Sequence, residues 1–380
     1  MTEDKMLTAF IHARSRKLRT REAFTLVELV VAVGVLAVIL SVAGMIFRVT
    51  TNAHRLAIAN AEIMQKLRAI TDQLNADFKG LRKDGEIFVT WSGSPRRGVR
   101  PGAAGVYERF DQIMFFTDGD FQSYRTYPMV RGNVARVSYM LAKKGSVKAQ
   151  NQAREKRNLA RTQHILVSDP TLPDFFDPNT FDGSDAQWYD WRNRLEYDRI
   201  SLEGWKNIST SGDPNKWDML SVITGVGINP STIPADWLCR GATVDTADPN
   251  SIHMLLCEGV GEFTIQGWSD VEWRWVPQID PDGDGDLADD SDFPLNSDGT
   301  ALHPQDIPGV LYPAPYGAVE LAGIFARGEL REFPPQWLDE AHFDLIPGLG
   351  RALKFTFTLY DSKGVITDGR TFTHIVYLGD

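Results

Sequence analysis

Residues 24–47 read FTLVELVVAVGVLAVILSVAGMIF, an apolar run of 24 positions with a single charge, Glu28. At 1.5 Å per residue a helix of that length covers the ~30 Å hydrocarbon core of a bilayer. A secretory signal peptide has a shorter apolar region, about 7–15 residues, and then a small-residue cleavage site. This run is longer, and no such site follows it. Ahead of it stand Lys5, Arg14, Arg16, Lys17, Arg19 and Arg21 against Glu3, Asp4 and Glu22. By the positive-inside rule that basic flank keeps residues 1–23 in the cytoplasm and exports everything after Arg48. The whole chain has a net charge of −10, so the part after residue 23 stands at −13. A body that acidic is a poor match to nucleic-acid backbone, which calls for a basic face, and no nucleic-acid partner is expected.

Glu28 admits two readings. A carboxylate near the end of a membrane span is tolerated if it reaches the headgroups. Alternatively, the helix begins at Phe24 because the chain is cut before it, which creates a free α-amine of pKa about 7.7–8.0. Glu28 lies one helical turn from that amine and, in an assembly, neutralises the amine of a neighbouring subunit. A buried pair of this kind specifies register more than it adds stability.

A basic leader, a small residue and then FTLVE opening a long apolar helix resembles the N-terminus of type IV prepilins and type II secretion pseudopilins. The resemblance implies that a prepilin peptidase cuts between Ala23 and Phe24 and N-methylates Phe24. It also implies that Glu28, fifth in the mature chain, docks subunits. The family usually has Gly before the cut, where this chain has Ala23.

Beyond the membrane run, Ile63, Leu67, Ile70, Leu74, Phe78 and Leu81 recur at steps of three and four, the stripe of an amphipathic helix. Glu62, Gln65, Lys66, Arg68 and Asp72 fill the other faces, and Gly85 reads as the C-terminal stop. The periodicity predicts one helix from about 24 to 83, with residues 24–47 crossing the membrane and 48–84 lying on a head formed by 85–380.

In the head the period shifts towards two. Strands are expected at Asp111–Thr117, ending in a turn at Asp118-Gly119-Asp120, and at Asn133–Leu141, Asn158–Val167, Ser251–Cys257 and Gly261–Trp268. Leu353–Leu359, a turn at Asp361–Gly364 and Thr371–Leu378 read as a terminal hairpin. The basic stretch from Lys143 to Arg157 reads as a solvated connection. Segments 169–250 and 277–316, rich in Pro, Asp, Gly and Asn, look like insertions. The fold class is α+β, a long N-terminal helix on an antiparallel sheet.

The order of ARVSYML, a strand containing LAR, LLCEGVGEFTIQGW with Trp273 and Trp275 beyond, and IPGLGRALKFTFTLYD is similar to the J-type minor pseudopilin; W-type minor pilins share parts of it. The resemblance implies a structural subunit, not an enzyme, held in the inner membrane with its head in the periplasm. It places that subunit near the tip of a short filament, beside I-type and K-type partners and the major pseudopilin. Two alternatives stay open: a minor type IV pilin serving pilus assembly, adhesion or DNA uptake, and a membrane-anchored surface protein binding glycans.

Asp280, Asp282, Asp284 and Asp286 with Gly285 match the opening of a calcium loop. Ser291 occupies the place of the usual bidentate acid, and Asp289, Asp290 and Asp292 stand near enough to substitute. The readings are a calcium-stapled loop and a solvated acidic loop. Cys239 and Cys257 are the only cysteines. They are either a bridge closing about 19 residues, worth roughly 3 kcal/mol, or two buried thiols. Trp188, Trp191, Trp205, Trp217, Trp237, Trp268, Trp273 and Trp275 are either packing residues or a carbohydrate platform. His54, His164, His253 and His374 have no paired ligand spacing, and GxSxG, P-loop and dinucleotide fingerprints are absent.

Overall fold

The computed structural model describes residues 25–82, 85, 87–95, 107–124, 129–145, 147, 149–172, 196–208, 242–245, 248–249, 251–269, 274–276, 321–326 and 352–378. The chain divides into two units, Met1–Ala57 and Ile58–Asp380. One helix, α1 (Leu26–Lys79), contributes to both.

In the first unit α1 is long and apolar enough to cross a membrane, and from Leu26 to Thr50 every residue is exposed. Val occupies eight positions between 27 and 49. In water so many β-branched residues weaken a helix, because each loses rotamer freedom against the preceding turn. In hydrocarbon the backbone must satisfy its own hydrogen bonds, and that requirement overrides the side-chain preference.

In the second unit the predicted stripe becomes a buried face. Ile63, Ile70, Leu74 and Phe78 are buried, with Leu67 and Leu81 packed beside them. They meet Ile113, Phe115, Val137, Tyr139, Phe263, Phe355 and Phe357 from one face of a sheet. The Phe78 ring stacks on Phe115 with centroids 4.4 Å apart.

Among the described residues that sheet has eleven strands: β1 (Phe88–Pro95), β2 (Tyr107–Gln122), β3 (Arg131–Ala142), β4 (Asn158–Leu166), β5 (Tyr197–Asp198), β6 (Leu255–Glu258), β7 (Val260–Ser269), β8 (Arg274–Val276), β9 (Leu321–Ala326), β10 (Ala352–Leu359) and β11 (Arg370–Tyr377). Their order is β11-β10-β7-β2-β3-β4-β5; β1 joins β2 to β9, β6 pairs with β4, and β8 pairs with β7. The α+β class therefore stands, but the expected antiparallel sheet is mixed. The contacts β2–β7 and β4–β5 are parallel. Neither pair is joined by a hairpin, and a strand that returns by a crossover enters in the same direction as its neighbour. β2 and β7 meet at one pair, Phe110 and Phe263, where the Asp111 carboxylate accepts the Ile265 N–H at 2.6 Å.

Four local expectations change. The helix stops at Lys79 rather than near Gly85, because Gly80 lies against β2: a Cβ there would stand 2.1 Å from the Asp118 carbonyl oxygen. The chain then pairs with β2, the Asp118 N–H donating to the Gly80 carbonyl and the Arg82 N–H to that of Phe116. Asp118-Gly119-Asp120 is not a turn. β2 runs through it to Gln122, and the extra residues form a bulge against β3. Residues Ile252–Met254 form a single 3-10 turn before β6. The basic connection is not wholly solvated, since Arg157 is buried, donates to the Ala149 and Gly261 carbonyls and covers the Phe110 ring.

Of the expected insertion 169–250, Tyr197–Asp198 enter the sheet as β5 beside β4, Thr243 bridges to Lys143, and Trp205 and Val244 are buried. Segment 277–316 lies outside the described residues.

Candidate assembly helix and the buried ion clusters

The start of α1 is built by Thr25-Leu-Val-Glu28. The Glu28 carboxylate accepts the Thr25 N–H and hydroxyl, each at 3.0 Å, while the Thr25 hydroxyl oxygen accepts the Glu28 N–H at 3.2 Å. This is a reciprocal capping box, which satisfies donors that a helix start otherwise leaves open. The T-x-x-E spacing within FTLVE carries that signal, which the reading of Glu28 as a docking acid passed over. Glu28 is exposed, and its carboxylate is engaged in this cap.

Ala23 and Phe24, the expected cleavage pair, lie outside the described residues. So do Asp280, Asp282, Asp284, Asp286, Asp289, Asp290 and Asp292. Among the described residues no group of three or more His, Cys, Asp or Glu is placed to hold a metal ion. Cys239 is also outside them. Cys257 is a buried free thiol whose pKa burial pushes up to about 11. Trp205 is fully buried, edge-on to Phe116 and under the Arg136 guanidinium, so it presents no face to a sugar. Trp268 and Trp275 meet edge to face at 5.3 Å, with the Lys354 ammonium over the Trp275 ring.

Among the buried carboxylates of the described residues, which the sequence reading did not single out, Asp77 and Asp198 each centre an ion cluster. Asp77, on α1, receives Arg161 through Nε and Nη2 at 2.7 Å each, the Tyr139 hydroxyl, and the Gln73 amide at 3.1 Å. The Asp77 main-chain carbonyl accepts the Thr117 hydroxyl at 2.6 Å. Tyr139 and Arg161 are opposite each other on β3 and β4, which aims both at the helix. Burial, and then the Asp77 charge, hold the Tyr139 phenol well above its ordinary range. A signal existed for Asp77, since it stands at heptad spacing from Ile63 and Ile70, on the apolar face.

Asp198 sits on the other side of the sheet. It accepts Arg136 Nε at 3.0 Å and lies 2.9 Å from His164 Nδ1; Arg136 and His164 are opposite each other on β3 and β4. Burial alone would raise its pKa, but the Arg136 charge and the His164 contact hold it well below the carboxylate range. Next to it, Ser201 caps the short helix α2 (Leu202–Lys206), which places Trp205. Nothing local in the sequence links position 198 to 136 and 164.

Where α1 reaches the terminal hairpin, Lys66 donates to the Tyr360 carbonyl at 2.7 Å and pairs with Glu62 at 3.0 Å. Glu62 in turn accepts the Ser362 N–H and hydroxyl. No family model, curated protein or solved structure matches the chain.

Proposed function

We propose that the chain is a minor pseudopilin of a type II secretion system, a structural subunit near the tip of a periplasmic filament. It is held in the inner membrane through residues 24–47, with its N-terminus in the cytoplasm and its head in the periplasm. The observation that carries the reading is the division of labour within α1. Residues 26–50 expose an apolar surface all round, and the stripe from Ile63 to Phe78 is buried in the head. A helix built in that way supports lateral association of its first part with lipid and with other such helices, while its second part serves as the head's core. The FTLVE start adds a processing site between Ala23 and Phe24 and a docking role for Glu28.

Mass spectrometry of the native N-terminus tests this directly. The expected mature chain begins at N-methylated Phe24; a chain that retains its leader, with Phe24 unmodified, overturns the assignment. Glu28→Val is expected to insert and be processed but to enter filaments poorly. Deletion separates secretion from a pilus: the first loses exoenzyme export, the second twitching or transformation. Within the same reading, calcium on the 280–292 loop predicts that a chelator lowers the melting temperature and that Asp282→Ala abolishes the difference.

A further inference from the structure

β11 ends the strand order, and among the described residues it pairs with β10 alone. The other hydrogen bonds of Arg370–Tyr377 join Thr371 to Thr358 and His374 to Asn75, so the far edge is open. Eight residues long and without a bulge against β10, the strand has none of the devices that blunt an edge: no proline, no lysine, no acid. Residues opposite each other share a face, so Phe372, His374 and Val376 lie on the α1 side with Phe357, Phe355 and Leu353. Thr371, Thr373, Ile375 and Tyr377 form the other row, where Ile375 is 39% and Tyr377 78% exposed. Such an edge is a template for one more strand. Direction limits which strand can enter. Glu62 and Lys66 meet Ser362 and Tyr360 at the turn before β11, and Asn75 meets His374 midway along it, so α1 runs beside β11 in the same direction. Two β11 edges closed by a twofold axis pair antiparallel. That axis stands normal to the sheet and reverses α1 in the second copy. Two copies anchored in one membrane present their Ile58 ends to the same side, so the closed pair cannot form there.

We propose that the free edge of β11 accepts an extended strand from a different chain. Main-chain bonds hold that strand, and the open row of Thr371, Thr373, Ile375 and Tyr377 calls for β-branched or aromatic residues at its alternate positions. Within a body that stands at −13, β11 holds a cation, Arg370, and no acid, so an acidic residue level with Arg370 completes the fit. The choice of a different chain over a second copy rests on the proposed anchoring of α1; the open edge does not.

The test uses the full-length protein in bilayer nanodiscs. The probe is a synthetic peptide of residues 370–380, which has no anchor and can enter in either direction. It is expected to bind and to slow amide exchange over residues 370–377. The same peptide carrying Thr373→Pro and His374→Pro lacks its central N–H donors and is expected to bind at least about tenfold more weakly. Thr373→Lys/Tyr377→Lys in the protein, at two exposed side chains, is expected to weaken the unmodified peptide by a similar factor while the melting temperature holds. Should that variant unfold, the two peptides still decide the matter on the unaltered protein. Absence of protection over 370–377, or equal binding of both peptides, overturns the acceptor edge. Thr373→Cys in a Cys239→Ser/Cys257→Ala background tests the occupant. Cross-linked dimers within one nanodisc overturn the different chain, and their absence beside peptide binding supports it. A native chain that retains its leader sinks the pseudopilin reading and leaves the peptide result standing, so the two failures are told apart.

Discussion

Asp77 and Asp198 are both buried carboxylates, each held by an arginine from β3 or β4, and they secure different kinds of joint. Asp77 couples the helix to the inner face of the sheet, with a phenol as its second partner; the Arg161 side chain keeps 15% exposure. Asp198 couples the segment 196–208 to the outer face, with an imidazole as its second partner; the Arg136 side chain keeps only 2%. The difference teaches which charge is the more dangerous to orphan. A guanidinium with some access to water recovers part of its hydration when its partner is removed, and one sealed against the Trp205 ring does not.

That contrast sets an order of effects. Asp198→Leu leaves the Arg136 charge buried without its carboxylate and is expected to destabilise the head by about 3–5 kcal/mol, read from the urea midpoint. Asp77→Leu is expected to lose less, about 2–3 kcal/mol. The reverse order would mean that exposure does not rank the two clusters. Hydrogen exchange sharpens the first result: if only residues 196–208 lose protection, the joint is local, and if the sheet loses it too, Asp198 belongs to the global core.

How far these features were legible follows from the range of the forces involved. The α1 stripe and the strands with strict alternation, such as Leu353–Leu359, declare themselves within a dozen residues, and the structure has them. β1 and β9 went unread because FVTWSGSP carries Gly, Ser and Pro and LAGIFA has no alternation; β1 pairs with the nearby β2, but β9 pairs with β1 from more than 200 positions away. Asp118-Gly119-Asp120 has turn chemistry, but pairing of β2 with β3 on both sides of it absorbs the extra residues as a bulge. The parallel contact of β2 with β7 has no local signature at all. At the candidate site the balance is similar. Glu28 was visible as an acid, its capping by Thr25 was encoded in four adjacent letters, and the partners of Asp198 are a matter of topology.

The two clusters should also respond to opposite ends of the pH scale. Asp198 has a folded pKa below its unfolded value of about 3.9, so its contribution is present above that value and is lost as pH falls through the folded pKa. Melting temperatures measured downward from pH 4 should fall, and Asp198→Asn should flatten that slope. Tyr139 has a folded pKa above its unfolded value of about 10, so its contribution is complete below that value and is lost as pH rises beyond it. Melting temperatures above pH 10 should fall, and Tyr139→Phe should remove that loss. If both variants altered the same limb, the clusters would be one coupled unit through β3 and β4 rather than two joints.

The smallest effect belongs to the ion pair of α1 whose carboxylate water reaches most. Glu62 accepts from Lys66 and twice from Ser362, more contacts than many buried groups make. Its side chain nevertheless keeps 25% exposure, and solvent replaces whatever is removed. Glu62→Ala is therefore expected to cost below about 1 kcal/mol in the same urea titration. A larger loss, approaching that of Asp77→Leu, would show that the number of contacts and not their burial governs how α1 is held.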